Sequence, residues 1–142
     1  MTLRYLLDTC VVSEFVKPRP EVNVVKWLGS IEVDRAFLSV VTLGEVQFGI
    51  SQRPASNRRT ELEVWLNADL LSQFGDRMLA LDGDTMLTWG RLTAEQRQRG
   101  EPMGVMDSLI AATAIQHQMV LVTRNVTDFR FTGLSLFNPW EH

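Results

Sequence analysis

Cysteine is almost missing from this chain: Cys10 is the only one in 142 residues, so no internal disulfide can form, which suits a reducing cytoplasm. Histidine is nearly as scarce. His117 lies far along an apolar stretch and His142 is terminal, so neither is a candidate catalytic group. Lysine is rare too, with 2 Lys beside 12 Arg, and 17 acids against 14 bases leave a net charge of −3. That balance argues against a dedicated duplex-DNA binder, which carries a basic face. Arginine is the better planar partner for phosphate, however, so a local basic patch stays open. No apolar run is long enough to cross a membrane. The segment after Met1-Thr2-Leu3-Arg4 has no charged region with a cleavage site. The expectation is therefore a cytoplasmic protein with no membrane segment. Repeats, low-complexity tracts and linkers are also absent, and residues 1–142 read as one domain.

What is present is ordinary for a globular core, with 45% hydrophobic residues and a mean hydropathy of −0.02. Short apolar runs alternate with helical patterns. LRYLL (3–7), AFLSVV (36–41), MLAL (78–81), MVLVT (119–123) and LSLF (134–137) read as strands. VVSEFV and VNVVKWL read as helices parted by the breaker KPRP (17–20), and TLGEVQFGI as another. Residues 56–74 place Leu62, Trp65, Leu66, Leu70 and Phe74 on one side of a long amphipathic helix. Residues 84–98 and the stretch GVMDSLIAATAIQ (104–116) complete the set, the latter with almost no wet face. Strands this short and continuously apolar belong to a parallel sheet covered on both sides. The implied fold class is α/β, a three-layer α/β/α sandwich with a central, mainly parallel sheet.

In such sheets the functional crevice lies beyond the carboxyl ends of the strands. Four acids are placed to reach it. Asp8 follows the first strand, Glu45 falls in the first turn of the helix after the second, Asp107 opens its helix, and Asp128 comes five residues after the fourth strand. Four converging carboxylates repel one another unless neutralised, and a divalent cation with hard oxygen ligands does that. Each acid also has a purely structural reading. Thr42-Leu43-Gly44-Glu45 matches a capping box, Asp8 and Asp107 can be plain N-caps, and Asp128 can be a turn former.

LLDTCVVSEF, SVVTLGEVQFG, GVMDSLIAATA, LVTRNVTDF and the closing LFNPWE together resemble the PIN-domain family, and within it the VapC-type toxins of bacterial toxin–antitoxin operons. The resemblance covers essentially the whole chain. It implies an acidic quartet of Asp8, Glu45, Asp107 and Asp128, which acts catalytically and holds Mg²⁺ (or Mn²⁺), with Thr9, Thr123 and Asn125 as supporting polar groups. It further implies a metal-dependent endoribonuclease that cuts structured RNA such as tRNA or rRNA with water, leaving 5′-phosphate and 3′-hydroxyl ends. Implied partners are a small antitoxin whose tail occupies the active-site groove, the RNA substrate, a second copy in a homodimer, and operator DNA only through the antitoxin in a hetero-oligomer. One position departs from the family pattern: Cys10 stands where Asn is usual, and it reads as a small buried residue.

RNA contact falls to arginine. Arg124 and Arg130 are the candidates, whereas Arg58/Arg59 and Arg97/Arg99 read as solvated helix pairs. Trp27, Trp65 and Trp89 read as core or dimer-interface residues and Trp140 as an anchor for the end of the chain. Two other functions compete. Asp82-Gly83-Asp84 has the D-x-D form of aspartyl-nucleophile phosphatases, although Met86 replaces the Thr or Val they use. The other is a catalytically silent fold that only binds RNA or its antitoxin.

Overall fold

Five apolar runs pair into the sheet: β1 (Tyr5–Leu7), β2 (Ala36–Ser39), β3 (Met78–Leu79), β4 (Val120–Val122) and β5 (Leu136–Phe137). The computed structural model describes residues 2–141, so His142 lies outside the described residues. The strand order is β3-β2-β1-β4-β5 and every pairing is parallel. Among the described residues the α-helices that connect or follow them are α1 (Thr9–Glu14), α2 (Val22–Ser30), α3 (Val40–Ser51), α4 (Asn57–Val64), α5 (Leu71–Phe74), α6 (Gly83–Gln98) and α7 (Val105–His117).

Strand pleating explains the three layers. Successive side chains point to opposite faces, so Leu7 and Val122 join one core and Leu6 and Leu121 the other. The first core is closed by Val11 and Val12 of α1, Val24 of α2, and Leu62, Leu66, Leu70 and Phe74. The second is closed by Leu92 of α6 and by Ile110, Ala111, Ala112 and Ala114 of α7. The expected α/β/α sandwich is what forms. Among the described residues no helix is long and apolar enough to cross a membrane.

Several boundaries differ from the sequence pattern, and two bear on the site. The run 36–41 is strand only as far as Ser39, whose hydroxyl accepts from the Val41 N–H and starts α3 at Val40. Thr42 is therefore inside the helix and fully buried, and Thr42-x-x-Glu45 is not a capping box. Glu45 sits in the second turn, not the first. Likewise α7 starts after Gly104, which offers no side-chain cap. Asp107 is its third residue and not an N-cap. The long helix expected over 56–74 keeps its apolar stripe but widens into a π-helical stretch, Trp65–Leu70, between α4 and α5.

The tryptophans lie where the pattern put them. Trp27 packs edge-on to Tyr5 at 5.2 Å and against Phe137 at 5.1 Å, Trp65 packs on the same core, and Trp89 donates to Ser108 Oγ at 2.9 Å. Trp140 is held by Asn23, whose amide donates to its carbonyl at 3.1 Å.

Candidate functional site

Because all five strands run the same way, their carboxyl ends share one edge. β1 is the middle strand, with β2 and β4 as neighbours. The chain leaves in opposite directions from this point, which opens a crevice at the tip of β1. Asp8 is the residue at that tip. It is 4% exposed, its N–H continues the sheet by donating to Val122 O at 2.9 Å, and its carboxylate caps α1 by accepting from Thr9 N–H at 2.8 Å. The second oxygen, Oδ2, accepts from the Thr123 hydroxyl at 2.7 Å. Thr123 Oγ1 in turn accepts from Asn125 N–H at 3.0 Å. Burial raises the Asp8 carboxyl above its ordinary range, and the Asp128 charge adds to this; the hydrogen bonds from Thr123, Thr9 and Cys10 pull the other way.

Thr9 links Asp8 to α3. Its hydroxyl donates to Glu45 Oε1 at 2.6 Å and lies 3.1 Å from the buried Thr42 hydroxyl. Glu45 is half-buried. From the other side of the crevice, Asp107 projects from the first turn of α7. Its carboxyl is pushed up to about 6, first by partial burial and then by the charges of Asp8, Asp128 and Glu45. Asp128 is exposed on the 3₁₀ turn Val126–Phe129, whose start at Asn125 accepts the Asp128 N–H at 3.0 Å. The four acids thus sense one another as charges, and all four belong to one edge.

The fit to a cation follows from that repulsion. The shift of Asp107 comes from burial and three carboxylates, with no cation among its causes. Among the described residues no three His, Cys, Asp or Glu side chains form a ready-made cage. Mg²⁺ does not need one: it keeps several waters and takes one or two carboxylates plus substrate phosphate. Asp8 and Asp107, with Glu45 and Asp128 beside them, offer that kind of hard, under-neutralised oxygen set.

The family-model comparison matches a PIN domain over residues 5–131. The chain belongs to the PIN-domain family. It is 35% identical over 136 residues to the VapC ribonuclease Y4jK of Sinorhizobium fredii, covering 96% of this chain and 97% of that one. Toxin FitB of Neisseria gonorrhoeae is 31% identical, covering 96% and 98%. A solved structure of FitAB bound to an IR36 DNA fragment superposes with a TM-score of 0.90 at 31% identity, covering 96% and 95%.

As a PIN domain this chain has its own details. Cys10 Sγ lies 3.8 Å from Asp8 Oδ2 and from Thr123 Oγ1, and the Arg124 N–H points at it at 3.5 Å. The thiol is pushed up by burial and by the Asp8 charge, so it stays protonated and serves as a weak donor to the carboxylate. Arg124 stands exposed at the tip of β4 with its guanidinium 5.5 Å from the centre of the Trp140 ring. Arg130 is more occupied: it donates to Thr127 O at 2.7 Å and lies 3.4 Å from Glu101.

Sequence reasoning passed over Lys17 and Arg53 and assigned Arg58 to a solvated face. All three line a cleft of about 450 Å³ that runs from Thr9 and Glu45 along α3 and α4. Arg58 donates to Val16 O and Lys17 pairs with the buried Glu14. The charge of KPRP beside the first motif was a signal for Lys17, and nothing local marked Arg53 or Arg58. Asp82, by contrast, is exposed and caps α6 by accepting from Thr85 N–H at 2.9 Å; it follows the edge strand β3, away from the middle of the sheet. That placement gives the D-x-D segment a structural job as a helix cap.

Proposed function

We propose that this PIN domain is the toxin of a type II toxin–antitoxin pair and acts as a Mg²⁺-dependent (or Mn²⁺-dependent) endoribonuclease on structured RNA such as tRNA or rRNA. The observation that carries the reading is Asp107, driven up to about 6 by partial burial and by the charges of three other carboxylates at the same sheet edge. A fold that only bound protein or RNA has no use for such repulsion, which speaks against the silent-module reading. The similarity to a VapC ribonuclease over nearly the whole chain supports the same conclusion.

A divalent ion bound at these acids supplies Lewis-acid stabilisation of the phosphate and a more acidic water. The chain's own residues do the rest. Hydrogen bonds from Thr123 and Thr9 hold the Asp8 and Glu45 carboxylates in place, so little reorganisation is needed. Glu45 or Asp128 orients the attacking water. In-line attack by water on the phosphorus leaves a 5′-phosphate and a 3′-hydroxyl. Arg124 is placed to meet a flanking phosphate.

For partners, the reading is a homodimer that joins a small antitoxin. The solved FitAB assembly on DNA supports a pairing of this kind, with operator contact made by the antitoxin, since this chain's net charge is −3. The antitoxin's tail fits the cleft beside Thr9 and Glu45, where an incoming Arg or Lys neutralises the acids in place of the metal. The compartment follows from the same reading: a cytoplasmic protein acting on cytoplasmic RNA.

The test is cleavage of total RNA with mapped 5′ ends. Activity should require Mg²⁺ or Mn²⁺, stop with EDTA, and be lost in Asp8→Asn and Asp107→Asn while circular dichroism is unchanged. Undiminished cleavage by either variant defeats the assignment.

A further inference from the structure

Just beyond Asp128 the surface changes character. Phe131 is 38% exposed, and two guanidinium groups lie near its ring. Arg130 lies 4.8 Å from the ring centre and Arg99, at the end of α6, lies 5.5 Å from it. The ring borders a small cavity of about 120 Å³, also lined by Gln96, Met103, Glu101 and Asp128. That is below the roughly 300–1,000 Å³ of a site for a whole drug-sized ligand, and suits one flat group belonging to something larger.

The cavity is built, not incidental. Gln96 is buried, and its amide donates to Phe131 O at 2.6 Å, tying the turn after Asp128 to α6. The Glu101 N–H closes the other side by donating to Gln96 O at 2.9 Å. Thr132 reaches back to Phe129 O at 2.7 Å. The ion pair of Arg130 with Glu101 at the mouth is surface-exposed at 3.4 Å, and such pairs are weak enough to exchange for a phosphate.

An aromatic ring flanked by two guanidinium groups is the chemistry that receives an unstacked base and its phosphates. We propose that the Phe131 ring, with Arg99 and Arg130, forms a nucleotide subsite that seats a splayed base of the RNA flanking the bond cut at the Asp8–Asp107 edge. This rests on the ribonuclease reading and adds to it a place where the substrate is gripped. Base and phosphate both matter. The ring supplies stacking, the arginines supply charge, and Gln96 is a positioning residue that fixes the ring.

The experiment separates binding from cutting. With Asp8→Asn protein in Mg²⁺, a fluorescently labelled single-stranded RNA of mixed sequence is titrated by anisotropy. Phe131→Ala in that background should weaken binding about tenfold, Phe131→Tyr should restore it, and Arg99→Gln with Arg130→Gln should weaken it and flatten its salt dependence. In the active protein, Phe131→Ala should raise KM and leave kcat much less affected. Cleavage with unchanged KM in Phe131→Ala overturns the subsite alone. Phe131-dependent binding without any cleavage by the active protein overturns the ribonuclease reading alone and supports the subsite. Absence of any binding to this RNA overturns the subsite, and the cleavage test on total RNA decides the ribonuclease reading separately. Loss of antitoxin binding with RNA binding intact shows a protein-docking patch and overturns the proposal.

Discussion

Asp107 shows what the site costs the protein that carries it. Its carboxyl is driven up to about 6 from an ordinary value of 3.8, so between those pH values the folded protein holds more protons than the unfolded chain. Stability of the metal-free protein therefore falls as pH rises from about 4 to about 6, and the loss is complete above that. Asp107→Asn removes the charge and should stabilise the metal-free protein at pH 7.5 by on the order of 1 kcal/mol, discounted for the half-exposed position. Thermal melts in EDTA at pH 4, pH 5 and pH 7.5 check this: the variant's advantage should be smallest at pH 4, partial at pH 5 and full at pH 7.5. On the proposed metal-dependent reading, adding Mg²⁺ should reverse the order, because a ligand that binds the native acids stabilises the native protein more than the variant. At Asp8 the neighbouring donors matter most. Thr123→Val leaves Asp8 Oδ2 with only the weak Cys10 thiol donor and removes the acceptor of the Asn125 N–H, and should cost about 1–3 kcal/mol in urea unfolding and lower cleavage. Cys10 is the opposite of a reactive thiol. Burial and Asp8 raise it, so native protein at pH 7.5 should react with iodoacetamide more slowly than the same protein in urea.

Helix starts decide where the acids point. α3 begins at Val40 because Ser39 supplies the cap, and this places Glu45 a full turn in, facing Thr9. Ser39→Ala should cost about 1 kcal/mol, and a loss of cleavage out of proportion to that would show that the start of α3 sets Glu45. Such a boundary was hard to read from sequence: Ala36 to Val41 are apolar or small throughout, so strand and helix share one pattern, and the Ser39 hydroxyl breaks the tie. The start of α7 was ambiguous for a related reason. Asp107 resembles a cap by type, but Gly104 takes the capping position. The stripe Leu62, Leu66, Leu70 and Phe74 was legible because spacing alone defines it, and all four are buried. Its π-helical widening left no mark in that spacing.

At the scale of the molecule, both sheet faces are sealed by apolar helices, and α7 is the central seal. Ile110 is fully buried in the second core, and Ile110→Ala should cost about 2–5 kcal/mol in denaturant unfolding. Because α7 also carries Asp107, the same variant should lose cleavage at temperatures where it remains folded, through a site loosened from behind.

By itself the sequence determined the alternation of strand and helix, the two-faced burial and the candidacy of Asp8, Glu45, Asp107 and Asp128, because periodicity and local chemistry are properties of neighbouring residues. Only the tertiary structure decided that these acids share one edge and repel one another, that Thr123 reaches Asp8 across 115 residues of chain, and that Arg99 lies beside the Phe131 ring. Those are relations between distant segments, set by strand order and by which helix packs on which face. Local preference has no access to them.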